Sequence, residues 1–116
     1  MRMQKFFGRL ILAALALALC GAAFADTQRV LARAKAENIE LITREQAAAI
    51  AESELAAKNI KAVLHDAALD NEAVKYHNGS DFRPVYELEY KAADGREYDI
   101  DVDAVTGEIL KFKLDD

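Results

Sequence analysis

Carboxylates alternate along "GREYDIDVDAVTGEILKFKLDD", from Gly95 to Asp116: Glu97, Asp99, Asp101 and Asp103 fall at every second position. Residues of this type at this spacing suit metal ligation, acid/base chemistry, attraction of a basic partner, or plain hydration. "DIDVDAVTGEIL" opens like a calcium loop, D-x-D-x-D. Such a loop needs glycine at its sixth position and a bidentate acid at its twelfth. Those positions hold Ala104 and Leu110, and the intervening Ile100 and Val102 are apolar, as a strand requires. Zinc or haem wants histidine or cysteine, and His65 and His77 lie in separate segments with no partner at ligand spacing. Ser53 and Ser80 are the only serines, one within a helical pattern and one in a turn, without the glycine elbow of a nucleophile. Paired carboxylates for glycoside hydrolysis need a cleft and two differently tuned environments, which a flat, solvated strand face does not supply. The residues predict no catalytic, metal or cofactor-binding group. Binding is the chemistry left: an acidic face for a basic surface, or a free sheet edge for a partner strand.

The elements that position these acids follow from periodicity and turns. "PVYELEYKA", "REYDIDVDA" and "EILKFKL" read as strands, with Tyr86, Leu88 and Tyr90, then Tyr98, Ile100 and Val102, then Leu110, Phe112 and Leu114 on one face. "AADGR" and "AVTGE" each place glycine fourth in a five-residue frame, which suits a hairpin closed by a glycine bulge. The first frame pairs Ala92 with Arg96 and the second Ala104 with Glu108. Counting outward, Tyr90 meets Tyr98, Leu88 meets Ile100, and Tyr86 meets Val102. Beyond them Val102 meets Leu110, Ile100 meets Phe112, and Tyr98 meets Leu114. Every inward pair is apolar or aromatic, so turn chemistry and hydrophobic pattern agree. The outward residues then fall in rows: Glu87, Asp101, Lys111; Glu89, Asp99, Lys113; and Lys91 against Glu97. Glu87 facing Asp101 and Glu89 facing Asp99 are like charges directly opposed, offset by the lysines. The candidate partner-binding acidic face is therefore Glu87, Glu89, Asp99, Asp101 and Asp103.

Before this meander, "ITREQAAAIAESELAAKN" predicts a helix. Thr43 and Gln46 form a capping box, Ile42 can staple onto Ala47, and Ala47, Ile50, Ala51 and Leu55 make the apolar stripe. "IKAVLHDAALD" reads as a further strand. "NEAVKYHNGSDFR" is compatible with a short strand at Val74 and Tyr76 or with the end of a long hairpin, and Asn78-Gly79 marks a turn. In "DTQRVLARAKAENIE", Val30, Leu31 and Ala34 suit a short amphipathic helix or a partly ordered arm.

The chain begins with "MRMQKFFGR", which is basic, followed by the uncharged run "LILAALALALCGAAFA". This is the pattern of a secretory signal peptide cleaved after Ala25. The run is short for a membrane span, so no stable membrane insertion is expected after cleavage. Leu19 departs from the small residue that a lipoprotein box needs before Cys20. Of the 116 residues, 91 then remain as a periplasmic or secreted domain without cysteine. The 15 basic residues, less Arg2, Lys5 and Arg9, leave 12 against 20 acids, a net charge of −8. That balance excludes nucleic acid and anionic lipid as natural partners and suits a protein or peptide partner.

"ITREQAAAIAESEL" as a leading helix and "PVYELEYKAADGREYDIDVDAVTGEILK" as a core resemble the PepSY family. The "PVYELEY" strand, the Asp94-Gly95 turn and the "VDAVTGEIL" hairpin carry the likeness, over Leu41 to about Lys113 less the long segment from Asp70 to Phe82. The resemblance implies an α+β fold, one main helix packed on an antiparallel sheet of three to four strands, broadly cystatin-like. The organisation expected is a signal peptide at 1–25, an arm or short helix at 26–40 and the PepSY-like domain at 41–116. The family occurs in propeptides of thermolysin-type secreted metalloproteases and in small exported or membrane-anchored bacterial proteins. The resemblance implies a non-catalytic module that inhibits or modulates a peptidase or another envelope partner. With no protease domain in this sequence, such inhibition is expected in trans. A sensing module for cations or basic peptides, using the acidic face, is the alternative.

Overall fold

The structure is a computed structural model and describes residues 21–77 and 79–115. Two helices, α1 (Gly21–Ala36) and α2 (Arg44–Ala57), precede four strands: β1 (Ala62–Asn71), β2 (Pro84–Ala92), β3 (Glu97–Asp103) and β4 (Ile109–Asp115). The strands form one antiparallel meander in the order β1-β2-β3-β4. The segment expected to be a signal peptide lies outside the described residues up to residue 20. The expected cleavage point after Ala25 falls within α1.

Local chemistry explains where the helices start and stop. The Thr43 hydroxyl accepts from Gln46 N at 3.0 Å, and the Gln46 side chain accepts from Thr43 N at 2.8 Å, completing the capping box. At the far end Asn59 adopts φ +56°, Ile60 N donates to Leu55 O, and Asn59 N donates to Ala56 O. This is a Schellman closure with asparagine in the left-handed position. α1 ends the same way, with Asn38 at φ +56° and Ile39 N bonded to Ala34 O.

The inner face of the sheet carries the core. Ala47, Ala51 and Leu55 of α2 are buried against Leu69, Tyr86, Leu88, Tyr90, Tyr98, Ile100 and Val102. The alanine stripe lets the helix sit close, so the tyrosines reach its backbone and polar face. Tyr86 donates to Ile42 O at 2.8 Å, and the Tyr90 hydroxyl lies 3.1 Å from the Glu52 carboxylate and 3.3 Å from Ala48 O. Satisfied phenols can be buried without leaving a polar atom unpaired. α1 is a full helix that docks on β1. Val30 and Ala34 join the core, and the Thr27 hydroxyl meets both Leu69 N and Leu69 O.

The register agrees with the expected one from Tyr86–Val102 to Lys91–Glu97, and from Ile100–Phe112 to Tyr98–Leu114. The Asp94-Gly95 turn closes as expected, with Ala92 N bonded to Arg96 O and Gly95 at φ +91°. The second turn differs. Asp103 N, not Ala104 N, bonds to Glu108 O, and Val102 pairs with Ile109, not Leu110. The cause is the Asp103 carboxylate, which accepts from Val105 N at 2.8 Å and Thr106 N at 2.9 Å. A carboxylate that bonds the backbone two residues on winds its own turn. Ala104 N goes instead to Pro84 O, the loop gains a residue, and Leu110 becomes the extra residue of a bulge. A second bulge in β1, at His65, separates the Leu64–Tyr90 and Asp66–Glu89 pairs.

Candidate functional site

The rows of outward charge form as expected. Glu87 faces Asp101 and then Lys111, Glu89 faces Asp99 and then Lys113, and Lys91 meets Glu97 at 3.4 Å. The expectation that all five acids lie on a solvated face is corrected. Asp101 is 2% exposed and Asp103 4%. The segment described at 72–77 and 79–83 is the long end of the β1–β2 hairpin, one of the two expectations, and not a short strand at Val74 and Tyr76; it folds across one end of the outer face and covers them. Val85, an outward residue of β2, is 0% exposed beneath it.

The covering segment is fixed at its base and along its length. Glu72 N donates to Arg83 O at 2.8 Å, and the Asn71 side chain accepts from Arg83 N and Ala73 N while donating to Asp81 O. Tyr76 N closes a turn on Glu72 O. From this frame three side chains reach down. The Tyr76 hydroxyl donates to Asp101 Oδ2 at 2.6 Å, and Lys75 Nζ lies 3.2 Å from the same oxygen. Lys111 Nζ approaches it from β4 at 3.9 Å. Arg83 Nε donates to Asp103 Oδ2 at 3.0 Å, and a second nitrogen of its guanidinium donates to Tyr76 O. A buried carboxylate is tolerable only with such partners.

The electrostatics follow. Burial would raise the Asp103 carboxyl, but the Thr106 and Val105 amides and Arg83 outweigh it, and the group is held below the ordinary carboxylate range. Burial would lower the Lys75 ammonium, and Asp101 reverses that, moving it above the ordinary lysine range. Burial and then the Asp101 charge push the Tyr76 phenol up to about 12. Glu87 behaves oppositely to Asp103. Burial, a hydrogen bond between its carboxyl and that of Glu72, and the charges of Glu72, Asp101 and Asp70 push it up to about 8. Burial also raises Asp70. Asp70, Glu72 and Glu87 each bring one carboxylate oxygen within 4.8 Å of the others. Two like-charged carboxyls so close share a proton more readily than both ionise.

Beside the covered end, Glu87, Glu89, Asp99 and Asp101 border a shallow depression of about 250 Å³, with Lys111 at its side. The structure thus brings four of the five expected residues together. Asp103 stands apart as the anchor of a turn and of Arg83. Sequence reasoning missed Glu72, Lys75, Tyr76 and Arg83. The available signal was Val85, apolar yet in phase with Glu87 and Glu89. His65 and His77 are exposed, and Ser80 accepts from Phe82 N at 3.1 Å. No helix among the described residues is long and apolar enough to cross a membrane.

Comparison with curated proteins and with solved structures found no match. The family model for PepSY, described as "Peptidase propeptide and YPEB domain", matches residues 41–113. That span runs from the residues before the α2 cap to Lys113 in β4. It takes in α2, β1 to β3, most of β4 and the covering segment, and leaves α1 outside. With helix, meander and matched span coinciding over more than half of its length, the chain belongs to the PepSY family.

Proposed function

We propose that this chain is a non-catalytic exported binding module that modulates or inhibits a peptidase, or another partner of the cell envelope, in trans. The observation that carries this reading is the match of residues 41–113 to a family of peptidase propeptide and YPEB domains. That family links the chain to peptidase regulation, and the arrangement of its acids supports a binding role. Asp101 and Asp103 are spent on holding segment 72–83 rather than presented to a substrate. The test is a titration of the purified protein against a thermolysin-type metallopeptidase, together with affinity capture from an envelope extract. Dose-dependent loss of peptidase activity, or recovery of an envelope peptidase, is expected. Unchanged activity with no envelope partner recovered refutes the reading.

A second reading, a module responsive to cations or basic peptides, draws on the convergence of Asp70, Glu72 and Glu87. A cation there competes with the proton held by Glu87. Titration with calcium, zinc and a lysine-rich peptide, followed by the chemical shifts of Glu87, Asp99 and Asp101, tests it. Shifts that do not move exclude it.

A further inference from the structure

The meander has two edges, and the fold treats them differently. Along β1, the Thr27 hydroxyl occupies both the N–H and the C=O of Leu69, α1 lies beside the strand, and the His65 bulge breaks its ladder. Such devices blunt an edge. β4 has no strand beyond it among the described residues, and its ladder from Lys111 to Asp115 is regular. In an antiparallel ladder alternate residues bond to alternate neighbours. The Ala92–Arg96 and Ala104–Pro84 bonds turn the backbone of Tyr98, Ile100 and Val102 toward β2, and that of Asp99 and Asp101 toward β4. Lys111 and Lys113 answer Asp101 and Asp99. The N–H and C=O groups of Phe112 and Leu114 therefore point to the open edge.

The side chains say what would fit there. On the outer face, the Glu87–Asp101–Lys111 and Glu89–Asp99–Lys113 rows each end on a lysine. On the inner face, Phe112 is half-buried, with the Lys58 ammonium 5.1 Å from its ring centre, and Leu114 is 44% exposed. A next strand would meet lysine on one face and apolar side chains on the other. A second copy of β4 is a poor fit. Either antiparallel register that pairs Phe112 and Leu114 within the strand sets Lys113 against Lys113 or against Lys111, and like charges directly opposed are destabilising. Charge at the edge thus disfavours self-pairing and favours an acidic partner.

We propose that the open edge of β4 docks one extended segment of a partner protein, a strand of alternating acidic and apolar residues that adds to the sheet beside Phe112 and Leu114. The proposal rests on the binding-module reading and names its surface. The probe is a capped peptide as long as β4 that alternates glutamate with valine, with its lysine–valine counterpart as control, added to the isotope-labelled full chain. The expected result is amide shifts centred on 110–115 and about tenfold or more slowing of hydrogen exchange at Phe112 and Leu114. The lysine peptide should bind at least about tenfold more weakly, and Lys113→Glu, an exposed change, should remove most of that preference. Lys113→Gln should fall between. Shifts elsewhere, equal binding of both peptides, no binding of either, or a dimer closed through β4 in sedimentation overturns the proposal. If the wild type and Lys113→Glu inhibit a peptidase equally while neither peptide binds, the edge proposal fails and the binding-module reading stands. If the acidic peptide binds as described and no peptidase is affected, the reverse holds.

Discussion

Replacing Glu87 by glutamine should make the protein more stable in mild alkali and less sensitive to pH. In the folded chain the Glu87 carboxyl is pushed up to about 8 from an ordinary 4.5 by burial, by Glu72, and by the charges of Asp101 and Asp70. The sign follows from proton counting. Between those two values the native state holds a proton that the unfolded chain has released, so stability falls as pH rises. The contribution is fully present below about pH 4.5 and is lost as pH passes through about 8. Each pH unit of displacement corresponds to about 1.4 kcal/mol. Glu87 is only half-buried, water screens most of that figure, and about 1–2 kcal/mol should remain. Glutamine keeps the shape and can donate to Glu72 as the protonated acid does. Urea denaturation at about pH 5, 7 and 9 measures the effect. Glu87→Gln should match the wild type within about 0.5 kcal/mol at the acid end and exceed it by about 1–2 kcal/mol at the alkaline end. Taking the difference between the two proteins cancels the titrations of groups that do not interact with Glu87. An equal pH dependence in both proteins refutes the account of a Glu87 carboxyl kept protonated by burial and neighbouring charge.

Removing Arg83 should cost about 2–3 kcal/mol in urea unfolding at neutral pH, because Asp103 stays buried with only its two backbone donors. Tyr76→Phe deletes a 2.6 Å hydrogen bond to a buried carboxylate and should cost about 1–2 kcal/mol in the same assay. Gly107→Ala should lower the thermal midpoint more than Gly95→Ala. Both sit at positive φ, a strain of about 1–2 kcal/mol for alanine, but only at Gly107 does the new methyl meet a neighbour, Ile50 Cδ1 at 3.1 Å.

The sheet was legible wherever its information is local. Asp94-Gly95 fixes a turn, the alternation of Tyr86 to Tyr90 and Tyr98 to Val102 fixes the faces, and the two agree. The slip at Val102–Ile109 was not legible from glycine spacing, because the side chain of Asp103 competes for the backbone of its own turn. "DAVT", an acid followed within three residues by free amides, was the clue. The two helix ends carry the same pattern, Glu37-Asn38-Ile39 and Lys58-Asn59-Ile60, which reads as asparagine closure once the structure draws attention to it. For α1, Val30 and Ala34 gave the helix, but its docking on β1 through Thr27 depends on contacts far apart in sequence.

Burial of the acids was illegible for a physical reason. Alternate polar residues on a strand look solvated unless something covers them, and the cover is aperiodic. Beyond the alternation of Val74 and Tyr76, segment 72–83 has no strand or helix pattern, so its lysine, tyrosine and arginine could not be assigned to the rows beneath. Two features pointed to it: a connection longer than a hairpin needs, and Val85 standing apolar among acids. The site that remains open is correspondingly smaller than the one expected, with Glu89 and Asp99 beside the cover and Glu87 at its rim.

The central claim is that the buried carboxylates of β3 hold segment 72–83 against the sheet, which native-state hydrogen exchange tests most directly. In the wild type, the amides of Glu72 and Tyr76, bonded to Arg83 O and Glu72 O, should exchange slowly. In Asp101→Asn, which weakens the grip of Lys75 and Tyr76, Tyr76 should exchange at least about tenfold faster while Leu88 and Ile100 keep their protection. Exchange at Glu72 and Tyr76 as fast as in an unfolded chain, in the wild type itself, would contradict the account.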